Sequence, residues 1–515
     1  MKKLAGAVVA AALVIAAAND WIQAELVPVV IYQTNDVHGS IGPTPANPRY
    51  GTPASGGAAS LATLLKRETR PYLWIDSGDW FQGTPEGNLG RGEAVIAVFN
   101  ALHLTAGELG NHDYDYGEDN VKQLAGEATF PILGANISSA RTGATVGYVK
   151  SRILKQIRQG VVIGVFGLLT QSMPMLVFPE SIRGLQFGRP NDAAAHEVQE
   201  LRREGANIVI AASHLGIEEY NGKIYEGLGE GDISLAKNVP GIDFILGSHT
   251  HTQMRQPLVV AADGHRTVIT QTRGMLSSVY QIVLYVDSKT GRLDHSEAKL
   301  LDLDPAQYPP DPAIAALVAS YQALVEKEMG RPIGSSAVAL RRKTNGESVM
   351  GNWVTDVLRR YGKTDMGIIN TFGIRGDIPA GPVTYGDVYR VMPFENRAIK
   401  MKIVGSELKK LVELNLGVDA ITLQYSGIEI VYDPKAPAGG RLKSLKVGGI
   451  PVPDDKTYTF TSLDFAVIAD QHFQGILMTV VDKPALLLRD LLVKEIQDNS
   501  PISSALEGRI KVVAP

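Results

Sequence analysis

Residues 110–117 read Gly-Asn-His-Asp-Tyr-Asp-Tyr-Gly, which places an amide, an imidazole and carboxylates in one short loop between glycines. An apolar and small-residue run, 104–109, precedes this loop, so we expect it to begin where a buried strand ends, at the edge of a sheet. Asn111 offers a carbonyl oxygen to a metal ion. Asp115 follows His112 by three residues, close enough to favour its protonated form, which suits a general acid or a charge stabiliser. The alternative is a surface loop whose residues serve turn geometry alone.

Four other apolar runs also end in polar clusters. The runs 29–33, 72–75, 208–212 and 244–246 continue into Thr-Asn-Asp-Val-His-Gly at 34–39, Asp-Ser-Gly-Asp at 76–79, Ser-His-Leu-Gly at 213–216 and Gly-Ser-His-Thr-His at 247–251. Continuous apolar runs are typical of buried strands, and the residues just after their carboxyl ends meet at one edge of an open sheet. We therefore expect five segments to bring polar side chains to one place.

Helix-like stretches at 58–70 and 192–204 separate these runs, and the run 161–166 resembles a strand without a polar cluster. This alternation favours a layered α/β architecture over an all-α or all-β one. We predict that the segments 267–270 and 280–286 are antiparallel strands that close the domain.

The length of 515 residues predicts two domains. Four prolines lie within 301–312, and the following stretch, 313–328, has strong helical spacing. We therefore predict a first domain over 25–302, a linker with a helix over 303–333, and a second domain over 334–515. The second domain should contain a helix near 352–361 and strands at 366–370, 427–432 and 457–461.

The composition excludes several classes of site. The chain has no cysteine, which excludes disulfides, thiolate metal sites and cysteine nucleophiles. Metal ligands must come from His, Asp, Glu and Asn. The net charge of −4 gives no indication of a basic surface that would bind a nucleic-acid polymer, so we expect no such partner. We also expect a monomer.

The N-terminus indicates an export signal. Lys2 and Lys3 precede an apolar run from Leu4 to Ala18, which is too short to span a bilayer comfortably. We predict a signal peptide over 1–24, cleaved after Ala18 or after Ala24, and a periplasmic or extracellular bacterial protein with no stable membrane anchor. A retained anchor is the alternative.

The polar clusters form the ordered set Asp-x-His, Gly-Asp, Gly-Asn-His, His and Gly-x-His-x-His. This set closely resembles the calcineurin-like metallophosphoesterases, in particular the periplasmic and secreted 5'-nucleotidases, and the resemblance extends from about residue 29 to 512. It implies a four-layer α/β/β/α sandwich for the first domain. It implies an α+β substrate-recognition domain, the 5'-nucleotidase C-terminal domain, for the second.

The resemblance also implies two divalent ions that share a bridging aspartate. The first ion is assigned to Asp36, His38, Asp79 and His251, and the second to Asp79, Asn111, His214 and His249. Independently, carboxylate and amide oxygens mixed with imidazoles suit Zn, Mn, Fe or Co better than Ca. Two ions about 3.5 to 4 Å apart can hold a phosphoryl group and lower the pKa of a bound water towards about 7, so water or hydroxide is the expected nucleophile.

Two residues beside these ligands receive other roles. His112, held by Asp115, is expected to stabilise charge on the phosphoryl group or on the leaving oxygen. Asp76 either orients a ligand through a hydrogen bond or serves a turn at the end of a strand.

The resemblance of the second domain rests on the segments 370–377, 384–387 and 392–396. It implies that Arg375 binds a phosphate, that Phe394 and Phe465 stack a nucleobase between them, and that Asn396 contacts the base. The alternative for both phenylalanines is core packing.

The chain departs from the family pattern at two places in this domain. Phe372 stands where the family usually has a glycine. The family's Gly-Gly-Asp-Gly loop is here Ala-Asp-Gln-His at 469–472. If Gln471 is the aligned position, the carboxylate that holds the ribose is absent, and Asp470 could replace it after a one-residue shift.

The leading functional prediction is a two-metal phosphoesterase that converts nucleoside 5'-monophosphates and related nucleotides to nucleoside and phosphate. A 2',3'-cyclic phosphodiesterase, a UDP-sugar hydrolase and a thiosulfohydrolase-like enzyme are alternatives on the same scaffold. A non-catalytic exported binding protein is a third class. That class predicts incomplete ligand sets, whereas no ligand position is missing from this sequence.

Overall fold

The computed structural model describes residues 26–46, 53–158, 160–224, 230–262, 264–343, 345–417, 422–468, 471–482 and 486–513. The predicted signal peptide and the candidate ribose contact Asp470 lie outside these residues. The chain divides into two compact units, Met1–Gln322 and Ala323–Pro515.

The first unit is built from strands and helices in alternation. Its strands are β1 (Leu26–Thr34), β2 (Tyr72–Asp76), β3 (Ala106–Glu108), β4 (Ile132–Leu133), β5 (Ile137–Ser139), β6 (Arg152–Arg158), β7 (Val161–Leu169), β8 (Leu185–Phe187), β9 (Ile208–His214), β10 (Glu219–Tyr220), β11 (Lys223–Ile224), β12 (Phe244–Leu246), β13 (Leu258–Ala262), β14 (His265–Thr270), β15 (Ser278–Asp287) and β16 (Leu293–Asp302). Its helices are α1 (Gly57–Arg67), α2 (Pro85–Leu89), α3 (Glu93–Ala101), α4 (Glu118–Glu127), α5 (Met173–Leu176), α6 (Pro190–Arg203) and α7 (Asp232–Asn238). Helix α8 (Pro312–Met329) crosses the division between the units.

Two six-stranded mixed sheets organise this unit, in the orders β16-β15-β1-β2-β3-β4 and β13-β14-β12-β9-β7-β6. The four strands β1 to β4 run parallel in the first sheet, and β7, β9, β12 and β14 run parallel in the second. In the first sheet Thr34 lies opposite Asp76, which lies opposite Gly107, so that the strands end at the same level. The loops that follow these strands therefore leave from one edge.

The layers follow from where the apolar side chains are buried. Val29 and Ile31 of the first sheet pack with Ile210 and Phe244 of the second, in a core between the sheets. Helices α1, α3 and α4 share a second core with the other face of the first sheet. Helices α6 and α7 pack on the second sheet. This α/β/β/α order confirms the predicted fold class.

The predicted strand 244–246 coincides with β12, and the predicted helix 58–70 corresponds to α1, which ends at Arg67. The antiparallel prediction holds for 280–286, since β15 is antiparallel to both β1 and β16. It holds only in part for 267–270. Strand β14 is antiparallel to β13 but parallel to β12. The chain reverses in the β13–β14 hairpin, and β14 then runs beside β12 in the same direction as β12.

The second unit is α+β. Its strands are β17 (Pro332–Ser336), β18 (Met366–Asn370), β19 (Gly381–Thr384), β20 (Ala398–Val404), β21 (Leu423–Ser426), β22 (Ile428–Tyr432), β23 (Leu442–Val447), β24 (Ile450–Pro451), β25 (Thr457–Leu463), β26 (Met478–Asp482) and β27 (Ile510–Val512). Its helices are α9 (Val349–Gly362), α10 (Tyr385–Val391), α11 (Gly405–Leu414), α12 (Phe465–Ile468) and α13 (Leu488–Asn499). The main sheet has the order β21-β18-β25-β20-β26, and a four-stranded sheet has the order β24-β23-β22-β27.

Among the residues that the structure describes, none of the helices has the length and apolar character needed to cross a membrane.

Candidate active site

Six of the predicted metal ligands form two clusters at the carboxyl ends of strands of the first unit or just after them. Within each cluster the candidate ligand atoms lie within 4.8 Å of one another; the clusters are Asp36, His38 and His251, and Asp79, His214 and His249. One oxygen of Asp79, Oδ2, lies 3.2 Å from Nε2 of His214 and 3.7 Å from Nε2 of His38. A single carboxylate oxygen therefore faces both clusters.

The seventh predicted ligand joins the second cluster. Oδ1 of Asn111 lies 3.2 Å from Nε2 of His214. The His214 and His249 rings have centroids 5.0 Å apart. Five chain segments, four loops and the last residue of β9, thus bring all seven side chains together, as expected at the carboxyl ends of parallel strands.

The backbone of these loops is strained. Left-handed φ angles occur at five of the seven residues: Asp36 (49°), His38 (49°), Asp79 (58°), His249 (71°) and His251 (51°). Each such non-glycine residue costs about 1–3 kcal/mol and persists only where its surroundings fix it. Hydrogen bonds between loops do so here, because Asp36 N donates to Gly78 O and His38 N donates to Asp79 O, both at 2.9 Å.

Backbone carbonyls orient three of the imidazoles. Each Nδ1 atom lies within hydrogen-bond distance of a carbonyl oxygen: His38 at 2.5 Å from Gln82, His214 at 2.8 Å from Ser77 and His251 at 3.2 Å from Arg273. An Nδ1–H that donates to a carbonyl leaves the lone pair on Nε2. The Nε2 atoms of His38 and His251 are 3.1 Å apart, an arrangement suited to a cation that both lone pairs can bind.

The charges at the site also fit metal ions. Asp36 and Asp79 are almost fully buried. Burial alone would raise the pKa of Asp79, but the neighbouring imidazoles, His214 first, hold this pKa well below its usual range. Burial likewise opposes the charged form of His214, yet Asp79 raises the pKa of His214 to about 9. The buried carboxylates therefore require positive charge beside them, and the oxygen and imidazole donors fit two ions such as Zn, Mn, Fe or Co.

His112 lies beside the clusters and is held by a different partner. Its Nδ1 lies 2.8 Å from Oδ2 of Asp115, and its ring centroid is 5.5 Å from that of His38. The side chain is 39% exposed. Burial opposes the charge, but Asp115 and then Asp79 raise the pKa of His112 to about 10. The partly exposed His112 side chain is thus expected to be an imidazolium at neutral pH.

Asp113 is a residue to which sequence reasoning assigned no role. It is buried, and its carboxylate accepts the backbone N–H of Asp79 at 3.1 Å, of Trp80 at 2.9 Å and of Gly110 at 2.8 Å. In return, Asp79 Oδ1 accepts the backbone N–H of His112 at 2.8 Å. Two carboxylates therefore join the loop of Asp79 to the loop of His112.

Two glycines allow this close approach. A Cβ on Gly110 would lie 2.1 Å from Oδ1 of Asp79, and a Cβ on Gly78 would lie 2.8 Å from Nδ1 of His214.

Asp76 accepts hydrogen bonds from Thr34 Oγ1 at 2.6 Å and Gly78 N at 3.0 Å, which favours its interpretation as a turn residue.

The predicted substrate contacts that the structure describes lie in the second unit, where Phe465 begins helix α12 and the others lie in loops. The Arg375 guanidinium carbon is 5.7 Å from the centroid of the Phe394 ring. Asn396 Nδ2 donates to Asp464 Oδ1 at 3.3 Å, and Phe465 follows Asp464 in the chain. Both phenylalanines expose 40% of their surface, which argues against the core-packing alternative.

Two family models match the chain. Residues 29–253 match the calcineurin-like phosphoesterase family, and residues 327–476 match the 5'-nucleotidase C-terminal domain. The match boundaries leave the segment 254–326 between the two models.

Known proteins resemble nearly the whole chain. The endonuclease YhcR of Bacillus subtilis (strain 168) is 25% identical over 95% of this chain, which spans only 41% of that relative. The 5'-nucleotidase of Homo sapiens is 27% identical over 95% of this chain and 92% of its own length. The crystal structure of a 5'-nucleotidase precursor from Thermus thermophilus is 26% identical, with a TM-score of 0.66 over 95% of this chain and 100% of that one.

Proposed function

We propose that this chain, which belongs to the family that joins a calcineurin-like phosphoesterase domain to a 5'-nucleotidase C-terminal domain, hydrolyses nucleoside 5'-monophosphates and related nucleotides to nucleoside and phosphate. The family makes it a hydrolase of phosphoester bonds. The observation that carries the proposal is the position of Asp79 Oδ2 between two complete clusters of donors.

The metal ligands follow from these clusters. Asp36, His38, Asp79 and His251 would hold one ion, and Asp79, Asn111, His214 and His249 the other. When bound, two such ions would supply positive charge that stabilises the phosphoryl group and would lower the pKa of a water molecule, the expected nucleophile. The strained, hydrogen-bonded loops keep the donors in place before the substrate arrives.

His112 would act on the substrate itself. Its Nδ1–H is directed at Asp115, which leaves Nε2–H as the donor towards the phosphoryl group. A positive donor at this atom stabilises the charge that develops on the phosphoryl oxygens or on the leaving oxygen. Asp115 holds the ring in this orientation.

The second unit supports a nucleotide as the substrate. Arg375 presents a planar guanidinium that suits a phosphate. Phe394 and Phe465 present exposed rings suited to stack a base, and Asn396 lies beside them as a polar contact. Asp470, the proposed ribose contact, lies outside the described residues.

The test is phosphate release by the Mn- or Zn-loaded protein from AMP, UMP, UDP-glucose, 2',3'-cyclic AMP, 3'-AMP and an aryl phosphate. We expect preferred turnover of the 5'-monophosphates. In the F394A variant, the Michaelis constant for AMP should rise about ten-fold, and that for the aryl phosphate should change little. Turnover of the aryl phosphate alone would contradict the nucleotide preference and leave the metal chemistry intact.

We also propose that the protein acts outside the cytoplasm as a monomer. The export signal expected over 1–24 supports this location. Cell fractionation with mass spectrometry of the N-terminus would test it, and an uncleaved cytoplasmic chain would contradict it. Light scattering would test whether the purified protein is a monomer.

A further inference from the structure

Asp232 carries a buried carboxyl that the proposed mechanism does not use. It is the first residue of helix α7 and is completely buried. Its Oδ1 lies 2.5 Å from Ser213 Oγ, whereas Oδ2 has no hydrogen-bond partner among the residues that the structure describes. Buried polar atoms are rarely left without a partner, so the position of this carboxyl calls for an explanation.

The start of helix α7 is capped by another residue. The Glu218 carboxylate accepts the backbone N–H groups of Gly231, Ile233 and Ser234, at 3.1, 2.8 and 2.9 Å. Such bonds satisfy the N–H groups that the first turn of a helix leaves unpaired. The Asp232 carboxyl is thus not needed as a cap, and it faces the ends of strands β9 and β12 instead.

These strand ends lead to two of the proposed metal ligands. Ser213 directly precedes His214 at the end of β9, and Gly247 directly follows β12, two residues before His249. A Cβ on Gly247 would lie 2.3 Å from Asp232 Oδ2, so the carboxyl packs directly against this backbone. One side chain therefore contacts both of the segments that carry the histidines of the second cluster.

Ser248 joins the same two segments through a second contact. Its Oγ lies 2.8 Å from the backbone oxygen of Ser213 and 2.7 Å from Nδ1 of His214. Ser248 is completely buried, as Asp232 is. The two side chains together fix the spacing between the segments.

We propose that Asp232 is a positioning residue, which holds the segments of His214 and His249 at the spacing that a metal ion in the second cluster requires. The inference rests on the metal site of the proposed function. Burial raises the pKa of Asp232 well above its usual range, so hydrogen bonding and packing by a neutral carboxyl, not charge, perform this role. A neutral Asn should therefore replace Asp232, whereas Ala should not.

The experiment measures the zinc affinity of the full-length chain by competition with a chelating dye. In D232A, the affinity for one of the two ions should fall about 10- to 100-fold, as is usual when a group that orients a metal ligand is removed. D232N should stay within about three-fold of wild type. S213A should cause a loss similar to that of D232A, and the double variant should lose little more, because both changes remove the same hydrogen bond.

The visible spectrum of the cobalt-loaded protein is a second readout, because it reports the geometry of the ligands around the ion. D232A should change this spectrum, and D232N should not. E218A is the matched control, since it removes the carboxylate that caps the same helix. Its thermal stability should fall, as that of D232A should, while its zinc affinity and cobalt spectrum should match those of wild type.

Four outcomes would overturn the inference. Unchanged zinc affinity in D232A, or an equal loss in E218A, would refute it and leave the proposed function standing. An equal loss in D232N and D232A would show that the role depends on the charge of a carboxylate, which contradicts the inference as well. Failure of the wild type to bind two zinc ions would refute the metal site of the proposed function together with this inference.

Discussion

Asp79 in the first unit and Asp464 in the second are both buried aspartates beside candidate ligand-binding residues, but their pKa values move in opposite directions. The imidazoles around Asp79 outweigh burial and hold its pKa well below the usual range. Asp464 is surrounded mainly by neutral donors, the backbone N–H groups of Arg397 and Phe465 and the amide of Asn396, so burial raises its pKa to about 6. The first region is organised around positive charge, and the second is not.

Exposure separates the same two regions. Among the metal ligands, Asp36, Asp79, Asn111 and His214 are buried, and the loops that carry them are joined by hydrogen bonds. In the second unit, Phe394 and Phe465 are each 40% exposed, and Phe372 is 51% exposed. We therefore expect changes in the first region to alter metal content and kcat, and changes in the second to alter substrate affinity.

The largest effect should follow replacement of the bridging carboxylate. Asp79→Asn removes the oxygen that faces both clusters, so we expect fewer than two metal ions per chain and a loss of activity of about 10³-fold or more. Elemental analysis and phosphate release would measure the two effects. Asp365→Asn, which alters an aspartate that accepts a hydrogen bond from Thr459 in the second unit, is the control. Full metal content in Asp79→Asn would show that Asp79 is not a ligand.

The next largest effect should be confined to turnover. His112→Ala removes the imidazolium but none of the proposed metal ligands, so kcat should fall by about 10²- to 10⁴-fold while metal content stays near wild type. His196→Ala, an exposed histidine of helix α6, is the matched control. If metal is lost together with activity, His112 has been assigned the wrong role.

The sequence was sufficient where the signal was local. The apolar runs 29–33 and 244–246 could be recognised as buried strands, and the polar residues after them do converge. The left-handed backbone of His249 and the hydrogen bonds of Asp113 could not be predicted, because both depend on loops brought together by the fold. The contact between Phe372 and His472 joins two loops distant in the sequence, so the two departures from the family pattern could only be noted separately.

An intermediate effect should follow replacement of Asp113, which contacts the first region without belonging to either cluster. Asn at this position offers one acceptor oxygen and turns an NH₂ group towards backbone N–H groups, so the loop of Asp79 should loosen. We expect metal affinity about 10- to 100-fold lower, with a much smaller change in kcat once metal is saturating. Metal titration followed by calorimetry measures this. Unchanged metal affinity would contradict the positioning role.

The smallest effect concerns the pH dependence of stability at Asp464. Because its folded pKa is about 6 and the usual unfolded value is about 3.9, the folded chain binds more protons between these values, and stability should fall as the pH rises through this window. The loss from this group is at most about 3 kcal/mol. Asp464→Asn cannot ionise, so its stability relative to wild type should increase between pH 4 and pH 7, which calorimetric unfolding at both pH values would measure. A constant difference between variant and wild type would show that the hydrogen bonds from Arg397, Phe465 and Asn396 offset burial, so that the pKa of Asp464 is not raised.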